Sequence, residues 1–139
     1  MLIIDAENAV TGRLATYVAK ELLKGEEVHV INAEKAIISG EKRYTENKYK
    51  EKRDLKNKQD PERSPKYPRL PHLFVKKIIK GMLPRKKASG RAALKRLRVH
   101  SGNPLGKEGK KIEGVIASEM LRKYITIEEL CKKLGWRGL

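Results

Sequence analysis

The residues best suited to chemistry in this chain are lysines and arginines gathered in one stretch that contains no acid. From Arg63 to Lys107 there are 14 Lys and Arg and no Asp or Glu, whereas the rest of the chain carries 19 cations against 17 acids. The net charge of +16 therefore lies almost entirely in this stretch. Because a merely solvated surface usually mixes acids with its cations, the pattern predicts a surface that contacts a polyanion.

The middle of this stretch predicts a helix with two unlike faces. At about 100° per residue, positions 74–83 separate into an apolar arc and a cationic arc. The apolar arc comprises Val75, Ile78, Ile79 and Met82. The cationic arc comprises Lys76, Lys77 and Lys80. Pro84 ends the helix, and the loop Arg85-Lys86-Lys87 follows.

A second short helix is predicted from about Arg91 to Leu97, with Ser89 or Gly90 as its cap. Its packing residues are Ala93, Leu94 and Leu97. The cations Arg91, Lys95 and Arg98 fall at positions i, i+4 and i+7, so we expect them to share the outer face. The two helices together, residues 72–98, would present cations outward from a shared apolar seam.

A proline-rich segment, residues 59–71, precedes these helices. It holds four of the six prolines together with Arg63, Lys66 and Arg69, and this composition predicts an extended chain. The segment is either a surface connector or a basic arm lying in a nucleic-acid groove. We favour the arm, because its cations continue directly into the acid-free stretch.

The elements that would support the basic segment are of α/β type. Leu2-Ile3-Ile4 predicts a strand, the pattern from Gly12 to Gly25 an amphipathic helix, and Val28–Ile31 a second strand, which gives a β-α-β core within residues 1–40. Leu97–His100 is a candidate return to the sheet. In the ending, residues 124–136, Thr126-Ile127-Glu128-Glu129 is a capping box that opens a helix closed by Gly135.

The strongly polar segment Glu41–Lys58 contains eight cations and four acids. It could form an exposed helix bearing Tyr44, Tyr49 and Leu55, although this apolar stripe is thin. With 139 residues, the whole chain fits a single domain.

Several function classes are disfavoured. The lone Cys131 and the scattered histidines provide neither a disulfide framework nor a zinc site. No apolar run reaches about 18 residues, and Met1 leads directly into a strand, so we expect a cytosolic protein. The first β-α loop, 5–12, is acidic and has one glycine where a dinucleotide fingerprint needs three, so no cofactor is expected.

Short sequence blocks along the chain resemble the ribosomal protein L-thirteen family. They are Ile4-Asp5-Ala6, Thr11–Ala15 (TGRLA), Ile31–Lys35 (INAEK), Ser39-Gly40, KGMLP at 80–84, and Gly90. The proline-rich segment and the ending 124–136 resemble the archaeal form.

The resemblance implies a three-layer α/β/α protein with a mainly parallel central sheet, seated on large-subunit ribosomal RNA. It also implies a place early in subunit assembly and no catalytic chemistry. The family's basic motif carries over onto Lys80, Arg85, Lys86, Lys87 and Gly90, and its Gly-Arg pair onto Gly12 and Arg13.

The predicted function is therefore a structural, non-enzymatic constituent of the large ribosomal subunit. The expected partners are large-subunit rRNA and neighbouring large-subunit proteins, with no membrane and no small-molecule substrate. Two alternatives remain: a free regulatory binder of messenger RNA, and, less favoured, a nucleotide-dependent enzyme on the β-α-β unit. The predicted RNA-binding residues are Arg13, Arg63, Lys66, Arg69, Lys76, Lys77, Lys80, Arg85, Lys86, Lys87, Arg91, Lys95, Arg96 and Arg98.

Overall fold

A computed structural model describes residues 1–117 and 123–138 of the chain. Its centre is a parallel sheet of β1 (Leu2–Asp5), β2 (Val28–Ile31) and β4 (Leu97–Val99) in the order β1-β2-β4. Val28 of the central strand pairs with Leu2 on one side and Leu97 on the other. The predicted α/β class, the β-α-β unit and the return of residues near 97–100 to the sheet are all confirmed.

Helix α1 (Thr11–Leu23) connects β1 to β2 and buries its apolar stripe in the core. Leu14, Val18 and Leu22 are fully buried, as one side of a 3.6-residue period requires. Gly25, at φ 102°, follows the last turn in the left-handed conformation that a side chain would disfavour. This helix packs against α3 (Pro71–Met82) and α4 (Ala88–Lys95), so the N-terminal β-α-β unit directly supports the two basic helices.

The C-terminal segment forms a second, smaller sheet with the middle of the chain. Strand β5 (Tyr124–Thr126) pairs antiparallel with β3 (Ile37–Ser39). Helix α5 (Ile127–Lys133) then begins at the predicted cap, where the Thr126 hydroxyl accepts a hydrogen bond from the Glu129 amide at 3.2 Å. Trp136 is half-buried against the core.

Helix α2 (Lys42–Asp54) confirms the exposed helix predicted for the polar segment. Tyr44 and Leu55 are 67% and 58% exposed, so they add little burial. Tyr49 instead meets the buried Phe74 edge to face, with ring centroids 5.0 Å apart. This aromatic contact attaches a helix that has few other apolar groups to the core.

The second basic helix differs from its prediction. It runs from Ala88 to Lys95, so it starts three residues earlier than expected, and Lys87 rather than Ser89 or Gly90 occupies the N-cap position. Arg98 lies in β4, because β2 offers a free edge that recruits residues 97–99. The i, i+4, i+7 helical alignment of Arg91, Lys95 and Arg98 was therefore wrong.

Met82 and the proline-rich segment also depart from expectation. Met82 is 42% exposed, since Leu83 occupies the buried position where α3 ends. The segment is not extended throughout: Pro61–Arg63 forms a 3₁₀ turn, and Pro71 is the first residue of α3. Both prolines stand at turn or helix starts, where their fixed φ and missing N–H are tolerated.

Candidate nucleic-acid interface

Helix α3 supplies one wall of a basic groove. Phe74, Val75 and Ile79 are buried on its inner side. Lys76 and Lys77 are half-buried and Lys80 is exposed on its outer side. The predicted division of this helix into an apolar and a cationic face is therefore correct apart from Met82.

Helix α4 and strand β4 supply a second wall. Arg91 and Lys95 project from α4, and Arg98 reaches the same groove from the strand. The Arg98 guanidinium Nη1 donates to the carbonyl of Lys95 at 2.9 Å, which ties the strand residue to the end of the helix. The three cations thus meet in the groove, although not by the helical spacing first assigned to them.

The third wall comes from α2 and the proline-rich segment. Tyr49 and Lys52 project from α2, and Lys66 and Tyr67 from the segment. The Lys77 Nζ lies 4.0 Å from the centroid of the Tyr67 ring, and the Lys52 Nζ lies 5.4 Å from the same centroid. Cations therefore already occupy the neighbourhood of the aromatic ring.

The basic groove formed by these walls encloses about 1340 Å³. Nine of its sixteen lining residues are cations, and none of the described residues lining it is acidic. The nine are Lys52, Lys66, Lys76, Lys77, Lys80, Arg85, Arg91, Lys95 and Arg98. A concave surface lined by one sign of charge concentrates the positive potential, so the groove favours a polyanion such as a phosphodiester backbone.

The remaining predicted cations lie outside the groove. The Arg13 Nη1 donates to the carbonyl of Gly114 at 3.1 Å, and the Arg63 Nε is 2.9 Å from the Asp60 carboxylate. The Arg69 side chain lies beside Gly135 in the C-terminal segment. Lys86 and Lys87 are exposed in the loop between α3 and α4.

Arg96 serves the fold. Its Nη2 donates to the carbonyl of Leu22, in the last turn of α1, at 2.7 Å. This contact holds the early helix against the start of β4.

Sequence reasoning missed Lys52 and the placement of Tyr49 in the groove. Acids are interspersed with the cations of the 41–58 segment, so the segment does not stand out in the sequence as a cationic surface. The usable signal was the three-residue spacing of Tyr49 and Lys52, which puts both on one side of a helix.

Burial shifts the pKa of one groove residue, Tyr49, and of two residues outside the groove lining, His100 and Cys131. Burial, with a smaller effect of Tyr67, raises the pKa of Tyr49 above its ordinary value. Burial, followed by the charges of His29, His72 and Arg98, lowers the pKa of His100. Burial raises the pKa of Cys131 to about 12, so this thiol is not a nucleophile.

Among residues 1–117 and 123–138, no group of three or more His, Cys, Asp or Glu side chains is placed to hold a metal ion. In the same described ranges, no helix combines the length and the apolar character needed to cross a bilayer.

Comparison with known proteins extends the resemblance seen in the sequence. A family model described as Ribosomal protein L13 matches residues 1–105. The large ribosomal subunit protein uL13 of Methanococcus maripaludis is 46% identical over 137 residues, which cover 97% of this chain and 98% of the relative. The protein of the same name in Methanosphaera stadtmanae is 48% identical and covers 96% of both chains. That of Methanocaldococcus jannaschii is 44% identical, with 97% and 98% covered.

These relatives are archaeal, and they match the chain well beyond the 105 residues of the family model. Both the predicted resemblance and its archaeal type are confirmed, and the chain belongs to the ribosomal protein L13 family.

Proposed function

We propose that this chain is a structural constituent of the large ribosomal subunit and binds large-subunit rRNA through the basic groove. The observation that carries the proposal is the set of nine cations around one concave surface whose described lining residues include no acid. Family membership supports the same conclusion, because the relatives are named as large-subunit proteins. The family is one of structural proteins, so the chain is not an enzyme.

The groove is suited to the RNA backbone rather than to the bases. Its cations match phosphate oxygens, while its two tyrosine rings are engaged with Lys52, Lys77 and each other. Bases that stack on a protein need free aromatic faces. Affinity should therefore come mainly from phosphate contacts and counterion release.

The predicted cations outside the groove extend this surface. Lys86 and Lys87 stand in the loop that leads into the wall formed by α4, and Arg63 and Arg69 lie on the outer part of the proline-rich segment. Arg13 stands at the start of α1. We assign them peripheral phosphate contacts, because all five side chains are exposed. Arg96 is half-buried with its guanidinium bonded to Leu22, so we assign it a supporting role.

The proposed function also implies where the protein acts and when it joins the subunit. It would act in the cytoplasmic ribosome, join the subunit early in assembly, and contact neighbouring large-subunit proteins through surfaces away from the groove. No acid stands among the described residues that line the groove, so phosphates of folded rRNA would supply the counter-charge, which supports assembly around RNA.

Titration with large-subunit rRNA over a range of salt tests the binding mode. If about five phosphates are neutralised, log K should fall against log salt with a slope of roughly −3.5 to −4.5. A slope near zero would contradict binding led by phosphates.

Sedimentation at low salt tests the location. We expect the protein to migrate with large subunits. A pool that is free of subunits and bound to messenger RNA would instead support the free regulatory alternative, which uses the same groove.

A further inference from the structure

Two successive carbonyl groups of the proline-rich segment are held by cations from two different helices. The Lys77 ammonium of α3 donates to the carbonyl of Lys66, and the Arg53 guanidinium of α2 donates to the carbonyl of Tyr67. The flanking Pro65 and Pro68 have no N–H, so this part of the chain cannot secure itself with a sheet ladder. Its attachment to the body depends on side chains.

An aromatic row reinforces this attachment. The Tyr67 ring lies under the Lys77 ammonium and meets Tyr49 with centroids 6.0 Å apart. Tyr49 in turn meets Phe74, which is 1% exposed and belongs to the core. The segment is thereby connected to the buried core through edge-to-face aromatic contacts.

Lys77 combines three features that fix its position. It is half-buried, with a protein acceptor for its ammonium and an aromatic ring beneath it. Lys80, Arg85 and Arg91 are exposed at the same groove. Arg53 is also half-buried and lies outside the groove lining, so its contact with Tyr67 does not place it on the RNA surface.

We propose that Lys77 and Arg53 are positioning residues that, with Tyr67, form a latch for the proline-rich segment. The latch holds Lys66 on its side of the groove before RNA arrives. RNA then binds a preformed site instead of ordering a loose chain, and this removes an entropic cost from binding. The effect on RNA rests on the proposed function, whereas the latch itself is a property of the free protein.

Backbone ¹⁵N relaxation of the RNA-free protein tests the latch directly. In the unaltered chain, the amides of Lys66, Tyr67 and Arg69 should have order parameters near the rigid value of about 0.85. Lys77→Met keeps a long side chain but removes the donor and the charge, and it should lower these values below about 0.6. Lys77→Arg, which restores a cationic donor, should recover rigidity.

Lys80→Met is the matched control, since it removes an exposed groove cation from the same helix. It should leave the order parameters of the segment unchanged, and thermal unfolding of each variant establishes that it is folded. A segment that is mobile in the unaltered chain, or that stays rigid in folded Lys77→Met, would overturn the latch.

A double-mutant cycle on rRNA affinity tests its consequence. If Lys77 acts through the position of Lys66, Lys77→Met should weaken binding by about tenfold alone but by less than about threefold in a Lys66→Met background. Lys80→Met should weaken binding equally in both backgrounds. Additive effects of Lys66 and Lys77 would make Lys77 an ordinary phosphate contact. Absent rRNA binding by the unaltered chain would instead refute the proposed function, while the relaxation result would still decide the latch.

Discussion

The basic groove and the surface around α1 and α5 use the same cationic side chains in opposite ways. On α1 the Lys24 ammonium is 2.8 Å from Glu21, and on α5 the Lys132 ammonium is 2.8 Å from Glu128. Lys42 of α2 is likewise 3.2 Å from Glu129. In the groove, by contrast, none of the described lining residues is acidic.

This difference separates charge that is neutralised within the protein from charge that is available to a partner. Exposed pairs such as Lys24–Glu21 contribute little stability, but the acid cancels the positive potential of the lysine at the surface. The hydrogen bond that Lys24 donates to Glu21, and then the charge of Glu21, raises the pKa of Lys24. Total charge is thus a poor guide to the interface, and the location of the acids is a better one.

The largest expected effect is on stability, from a substitution at the close contact between α4 and the loop that follows α3. In Gly90→Ala the new Cβ would stand 2.1 Å from the carbonyl oxygen of Pro84, where neither backbone can easily yield. We expect a loss of about 3 kcal/mol in the free energy of unfolding, together with weaker rRNA binding as α4 shifts. Chemical denaturation and rRNA titration measure the two effects.

Gly81→Ala is the control for this substitution. Gly81 lines the groove, but a Cβ there would meet nothing within 4 Å, so the change should be neutral or slightly stabilising. Unaltered stability in Gly90→Ala would mean that the contact between Pro84 and the first turn of α4 does not fix the groove.

The next largest effect compares charge in the groove with charge outside it. Replacing Arg91, Lys95 and Arg98 together by Gln keeps long side chains while removing three groove cations. The salt slope of rRNA binding should flatten by about 2 to 3 units with the fold retained. The same change at Lys20, Lys24 and Lys132 should do little, since two of these are paired with acids. Equal losses in both triple variants would show that only total charge matters.

A smaller effect on the salt slope is expected from Lys52, the groove cation that lies outside the acid-free stretch. Lys52→Gln removes one groove cation, so it should flatten the salt slope by roughly 0.7 to 0.9 unit. Lys48→Gln, on the same helix but outside the groove lining, is the control and should leave the slope unchanged. If the two substitutions have the same effect, α2 does not form a wall of the RNA site.

The smallest effect concerns the histidines on the sheet face next to Arg98. The His29 Nδ1 and His100 Nε2 are 3.2 Å apart, with Glu27 beside His29, and burial lowers the pKa of His100 below its ordinary value of 6.5. A lowered histidine pKa means that the unfolded chain binds the proton more readily. Stability should therefore be complete above pH 6.5 and decline as the pH falls from there towards the folded-state pKa. Thermal unfolding from pH 7.5 to 5 should show this decline in the unaltered protein and less of it in His100→Gln.

Features with a local cause could be predicted from the sequence. The stripe of α1 and the Thr126 cap of α5 depend on residues within a few positions of each other, and both occur as expected. The acid-free stretch also found eight of the nine groove cations, since charge separation is visible along the chain.

Features set by distant pairing could not be predicted in this way. Arg98 joins β4 because β2 offers an edge, and Lys52 reaches the groove because Tyr49 packs on Phe74. Nothing in the local pattern around either cation encodes these partners. The same limit explains the late start assigned to α4, whose first turn depends on the close approach of Gly90 to Pro84.

The strand order β1-β2-β4 has a consequence for how the protein is made. Strand β2 gains one neighbour immediately from β1, but its other edge stays open until residues 97–99 have left the ribosome that synthesises them. Closing so long a loop is slower than forming the first β-α-β unit. Because Arg98 lies in the strand that completes the parallel sheet, this sheet and the basic groove are finished in the same step. A nascent chain therefore cannot present the finished groove before its parallel sheet has closed.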